Sequence, residues 1–176
     1  MPKIILNLRE NILKESKKIL KNESYDRLTV RRVAASCGVA VGTVYNYFPS
    51  KEMLTAGVML DDWQKRLEQM KASAGTAASP MEGLEQIYDV LLAYIGEYRD
   101  TWDQYRARGG ENAQSPYRHH ILIEQIAESI GILLGRFGDI FCDELPAFFA
   151  ENLLVLASRG DRDLSAVVPI VEKLLN

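Results

Sequence analysis

The chain has 176 residues, 47% hydrophobic and 26% charged, with a net charge of -3. That apolar content supports a real core in one or two domains, while six prolines, 12 glycines and no long polar tract argue against a disordered chain. No stretch approaches the ~20 apolar residues of a membrane span, and Lys3, Arg9 and Glu10 interrupt any apolar leader at the start.

Residues 4 to 21 are expected to form the first helix. Ile5, Leu8, Ile12 and Ile19 share a face with Leu13 and Leu20 beside it, and Lys14, Lys17, Lys18 and Lys21 line the other side. Residues 22 to 27 read as a connection whose Tyr25 packs into the core. Thr29 stands where an N-cap is wanted. Val30, Val33, Ala34 and Cys37 then fall at i, i+3, i+4 and i+7, one face of a helix. Gly38 can take positive φ without a Cβ clash and ends that helix. Val41, Val44, Tyr45 and Phe48 repeat the same spacing.

Two helices this short are unstable alone in water and need the first helix beneath them. The second keeps its outer face, Ala40, Gly42, Thr43, Asn46 and Tyr47, for something else. These groups are small or hydrogen-bonding, with no acid among them. That is the pattern of a helix-turn-helix, with the second helix in the major groove. A helical hairpin packed in a core is the bland alternative; the missing acids and nearby Arg31, Arg32 and Lys51 favour a duplex. The charge is divided accordingly. Residues 1 to 55 carry ten Lys/Arg against five Asp/Glu, and the remainder carries 11 against 19.

Pro49 and the N-cap candidate Ser50 start a fourth helix that is expected to reach about Lys71. Residues 72 to 80, ASAGTAASP, read as a break. A helix over 81 to 99 carries Leu84, Ile87, Tyr88, Leu91, Leu92 and Ile95 on one face, and Trp102 and Tyr105 follow on a short helix. Residues 106 to 116 read as a loop. A long helix over 117 to 137 points Ile123, Ile126, Ile130, Leu133, Leu134 and Phe137 inward. Another, over 145 to 158, carries Phe148, Phe149, Leu153, Leu156 and Ala157. After a turn at 159 to 161, a helix over 163 to 175 ends the chain. There is no strand-like alternation and no repeat, so the chain is expected to be all-α.

The residues Leu28-Thr29-Val30, Val33-Ala34, Gly38-Val39, Gly42-Thr43-Val44-Tyr45, Tyr47-Phe48, Ser50-Lys51-Glu52 and Leu54 closely resemble the N-terminal domain of TetR-type bacterial transcriptional regulators. The resemblance covers about residues 5 to 60; beyond it only helical character and length fit the family. It implies a three-helix DNA-binding head over 1–50 and a helical bundle over 51–176 that binds a ligand and dimerises. In the family the fourth helix links head to body.

The head residues carry over one at a time. Thr29 would offer its hydroxyl to a phosphate while capping, and Arg31 could reach phosphate or base. Val41, Gly42 and Thr43 lead the recognition helix, and Val41 can offer only a methyl contact. Tyr45 is expected to lie partly in the core and partly at the DNA surface. Asn46 is the best candidate for base readout, because its amide can pair bidentately with adenine. Tyr47 and Lys51 match phosphate-contacting positions, and the dipole at the helix start would reinforce Lys51.

The resemblance also implies an effector pocket for a small apolar or aromatic molecule. Trp63, Tyr88, Leu91, Tyr94, Trp102, Tyr105 and Tyr117 are the candidate lining, against ordinary core packing. One short recognition helix reads too few base pairs for tight binding, so a homodimer on a palindromic operator is expected. Ile130, Leu134, Phe137, Phe148, Phe149, Leu153 and Leu156 are the candidate interface, unless they are buried within one chain.

An enzyme has little support. His119 and His120 are neighbours and point about 100° apart on a helix, so they do not form an i, i+4 metal pair. No arrangement for nucleophilic catalysis and no phosphate-cradling glycine loop is present, and no metal or cofactor is expected. Cys37 and Cys142 read as buried free thiols of a reducing cytoplasm. The reading is a cytoplasmic repressor released by its effector; the alternative is a ligand-independent DNA-binding regulator whose body only dimerises or docks a protein.

Overall fold

The computed structural model describes residues 7–108, 116–138 and 142–164, together with 167, 169 and 173; for 116–118 only the backbone is described. Among them the regular structure is all helical: α1 (Leu8–Asn22), α2 (Val30–Cys37), α3 (Val41–Tyr47), α4 (Lys51–Thr76), α5 (Pro80–Ala107), α6 (Pro116–Gly135) and α7 (Leu145–Arg159). The chain packs as two compact units. One comprises Met1–Trp63 and Tyr98–Glu111, the other Gln64–Glu97 and Asn112–Asn176.

The first unit is built on α1, which buries Ile12, Leu13, Ile19 and Leu20. Ile5 and the expected first turn lie outside the described residues. Tyr25 and Leu28, on the connection, are fully buried. The Thr29 hydroxyl accepts the Arg32 backbone N–H at 3.2 Å and starts α2. The helix buries Val30, Val33, Ala34 and Cys37, and Gly38 closes it at φ 67°. α2 packs on both α1 and α3. Ser50 accepts the Met53 N–H at 3.1 Å and starts α4.

The later helices are longer than their sequence pattern suggests. The expected break at 72 to 80 is a correction: α4 continues to Thr76, and only residues 77–79 connect it to α5. Alanine is the strongest helix former, and Ala74 and Ala77 are buried. The Arg136 guanidinium donates to the carbonyls of Ala74 (2.8 Å) and Ala77 (3.0 Å), which satisfies the end of the helix. α5 begins with Pro80 at its first position and the Ser79 hydroxyl accepting the Glu82 N–H. It then runs unbroken to Ala107, so Trp102 and Tyr105 lie on it rather than on a separate short helix. Tyr94, Tyr98, Thr101 and Tyr105 continue its buried stripe at helical spacing.

In the second unit α6 packs against α7. Ile123, Ile126, Ile130, Leu133 and Leu134 from α6, with Phe149, Ala150, Leu153 and Ala157 from α7, are buried. One expected inward residue is a correction: Phe137 is 39% exposed, because α6 ends at Gly135 and leaves it in the following turn. Phe148 is 48% exposed, a helical step away from buried Phe149. Gly160 closes α7 at φ 76°. The expected final helix over 163 to 175 falls largely outside the described residues, although Leu164 and Val167 are buried.

Candidate nucleic-acid interface

The seven-residue α3 is held by Val44, which is fully buried, and by Phe48, the residue that ends it. Val41 is half-buried. Tyr45, expected on the apolar stripe, is 47% exposed, so its ring joins the outer face. That face presents Ala40, Gly42, Asn46 and Tyr47 to solvent, with Thr43 half-buried. A Cβ at Gly42 would meet open space, so packing does not require a glycine there, and its absence leaves the backbone accessible. The face carries no carboxylate and offers amide, hydroxyl and phenol groups, which can donate to phosphate oxygens or base edges.

The basic residues around it divide in a way the sequence did not signal. Arg31 is exposed. Arg32 is paired within the head: its Nη1 donates to Glu23 Oε2 at 2.7 Å and its Nη2 to the other oxygen. This pair lowers the Glu23 carboxyl and raises the Arg32 guanidinium. Lys51 lies over the Tyr25 ring, 3.9 Å from its centroid, and Arg108 approaches the same ring at 5.7 Å. Arg108 in turn pairs with Asp26 at 2.5 Å. Burial, then the nearby Arg108, pulls the Lys51 pKa down. Burial and Glu52 push Tyr25 up to about 12. On α1, Lys17 pairs with buried Asp62 of α4 and Lys18 with Glu15, while Lys14 and Lys21 are exposed.

Tyr25 as a platform for two cations was missed by the sequence reading. Its burial was foreseeable from its place between two helices, but Arg108 is too distant along the chain for any local pattern to reveal. Cys37 is buried, and burial raises its thiol pKa. Cys142 is exposed in the segment before α7, a correction to its expected burial.

Residues 12–58, which span α1 to the first turns of α4, match the family of bacterial regulatory proteins known as the tetR family. The match is confined to the head of the chain, which is similar to the DNA-binding domain of that family. The HTH-type transcriptional regulator UidR of Escherichia coli is 26% identical over 96 residues, covering 54% of this chain and 45% of the relative; the Shigella flexneri protein of that name matches to the same extent. The aligned chain thus spans about half the length of the curated relatives it matches. Among solved structures, a TetR-family transcriptional regulator from Pectobacterium atrosepticum superposes with a TM-score of 0.69 at 19% identity, over 95% of this chain and 93% of that one. The Thermus thermophilus FadR, a TetR-family repressor in complex with lauroyl-CoA, superposes with a TM-score of 0.58 at 21% identity, over 95% and 92%. At this level of identity the superpositions carry the fold.

The body residues expected from the resemblance are placed as follows. Trp63, Trp102 and Tyr105 belong to the first unit, and Tyr88, Leu91 and Tyr94 to the second. All are buried except half-buried Trp102, and the side chain of Tyr117 lies outside the described residues. Trp102 meets Tyr105 edge to face at 5.7 Å. The Tyr88 hydroxyl donates to the Asp161 carbonyl. Of the candidate interface residues, Ile130, Leu134, Phe149 and Leu153 are buried within the chain. Phe137, Phe148 and half-buried Leu156 retain accessible surface. Ile132 and Val155 are also exposed and were not foreseen.

His119 contacts Glu151 at 3.0 Å and His120 contacts Glu124 at 3.1 Å. Among the described residues no group of three or more His, Cys, Asp or Glu could hold a metal ion, and no helix is long and apolar enough to cross a membrane.

Proposed function

We propose that this protein is a homodimeric transcriptional regulator of TetR type that represses from a palindromic operator and is released by a small-molecule effector. The observation that carries the DNA half is the acid-free outer face of α3, presented on a helix pair locked by the Thr29 cap and Gly38. In this reading residues 1–50 form the reading head and 51–176 the effector and dimer body. Asn46 reads a base, Val41, Gly42 and Thr43 bring the helix start against the groove, and Thr29, Arg31, Tyr45, Tyr47 and Lys51 meet backbone phosphates.

Selection of duplexes from a randomised pool tests the DNA half. Enrichment of an inverted repeat whose half-sites are about one helical turn apart is the expected outcome. Affinity that ignores sequence at low salt would remove it.

The effector half draws on the family and on the lauroyl-CoA held by the FadR neighbour. An acyl chain or another apolar group is therefore the first ligand class to assay. Tyr88, Leu91 and Tyr94 of the second unit are the residues proposed to receive it. Binding would tilt α4 and change the spacing of two heads, which requires the ligand to prefer one spacing. Dimerisation through α6, the turn after it and α7 would use Ile132, Phe137, Phe148 and Val155, the apolar groups left exposed there.

A ligand-independent regulator is the second reading. The internal hydrogen bond of Tyr88 favours it, since that hydroxyl already has a structural partner. Acyl compounds that raise the melting temperature but leave operator affinity unchanged would select it.

A further inference from the structure

We propose that Gly57 is a positioning residue for the recognition helix: the bare α4 backbone there is the seat of the Phe48 ring, and this seat sets the angle at which α3 meets a duplex. The inference rests on the DNA reading above. α3 has little to hold it. It spans seven residues, its N-cap position, Ala40, makes no side-chain cap, and Val44 is its single fully buried side chain. Phe48 follows at once, with its N–H bonded to the Val44 carbonyl at 2.9 Å, so displacement of the ring displaces the helix end.

The ring has no slack. A Cβ on Gly57 would lie 2.7 Å from Phe48 Cε1, closer than carbon atoms approach, and 3.4 Å from Leu13 Cδ2. Arg9 of α1 lies 5.6 Å from the ring centroid. Phe48 is 5% exposed, held by α1 and α4 together, so it cannot swing into solvent without losing its burial. Because alanine is the better helix former, Gly57→Ala does not weaken α4 itself; its effect falls on the ring and on α3. The same contact ties α3 to any movement of α4. Glycine at this position did not stand out in the sequence, where it reads as an ordinary small residue in a helix.

The test uses the full chain, a duplex enriched from a randomised pool by the unmodified protein, and a scrambled duplex of the same composition. The readout is the ratio of the two affinities. Gly57→Ala is expected to lower that ratio about tenfold or more while leaving the scrambled affinity and helical content unchanged. Phe48→Leu, which removes Cε1, is expected to restore part of the ratio in the Gly57→Ala background. That rescue would not follow from general damage to the fold.

A ratio within about twofold of the unmodified protein, or a double variant no better than Gly57→Ala alone, overturns the proposal. If Gly57→Ala does not fold, the double variant decides: folded with a higher ratio than Phe48→Leu alone it stands, and unfolded it falls, because the loss then lies outside the ring contact. Failure of the unmodified chain to enrich any duplex removes the DNA reading and this inference with it. Enrichment with an unchanged Gly57→Ala ratio removes the seat alone.

Discussion

The Lys51 ammonium lies 3.9 Å from the centroid of the Tyr25 ring, and the Tyr25 hydroxyl donates to Glu52 at 3.4 Å on the next residue of α4. The ring thus holds the start of α4 against the connection between α1 and α2. A cation parked on a buried ring has a defined position. Lys51→Ala is expected to weaken scrambled and selected duplexes alike and to reduce the salt slope by about one. Tyr25→Phe keeps the ring and should leave that slope unchanged, whereas Tyr25→Leu should shift it toward the Lys51→Ala value. Affinity titrations over a salt series separate these outcomes.

Arg32 carries the charge expected near a phosphate, yet both branches of its guanidinium are engaged by Glu23. Arg32→Ala should therefore change duplex affinity less than Arg31→Ala. Glu23→Gln should release the guanidinium, tightening binding to a scrambled duplex and steepening the salt slope by up to about one. If Arg31→Ala and Arg32→Ala weaken binding equally, the pair does not persist on DNA.

Hydrogen bonds from its own backbone and from Ser50 hold the Glu52 carboxyl below its ordinary value of 4.5. A carboxyl depressed by folding contributes stability that is fully present above its unfolded pKa and disappears as pH falls through its folded one. Glu52→Gln should lower the melting temperature at pH 7, and the gap to the unmodified protein should close as pH falls below 4.5. A gap that persists unchanged in acid would assign the effect to packing.

Gly83 of α5 lies against Leu133 of α6 so closely that a Cβ would stand 2.2 Å from Leu133 Cδ1. Gly83→Ala should cost about 1–3 kcal/mol in urea unfolding, despite the better helix propensity of alanine. The cost should fall in a Leu133→Val background, where the branch is shorter, so the two changes should be non-additive. Full additivity would argue against the close approach.

Local chemistry made the head legible in the chain itself. An N-cap hydroxyl at Thr29, a left-handed glycine at Gly38 and a period of 3.6 through Val30, Val33, Ala34 and Cys37 act within a few residues. The all-α class follows from the same periodicity. What tertiary contact decided lies elsewhere. α4 extends through the small residues 72–76, and Arg136, far along the chain, donates to the carbonyls of Ala74 near its end and Ala77 just beyond it. Burial of Tyr98, Thr101 and Tyr105 accompanies the continuation of α5 through a stretch that periodicity alone divides. Which cations stay exposed around α3 depends on Glu23, Tyr25 and Asp26. Helix periodicity and caps are encoded within one or two turns, whereas ion pairing and ring stacking depend on groups that meet only once the chain has folded.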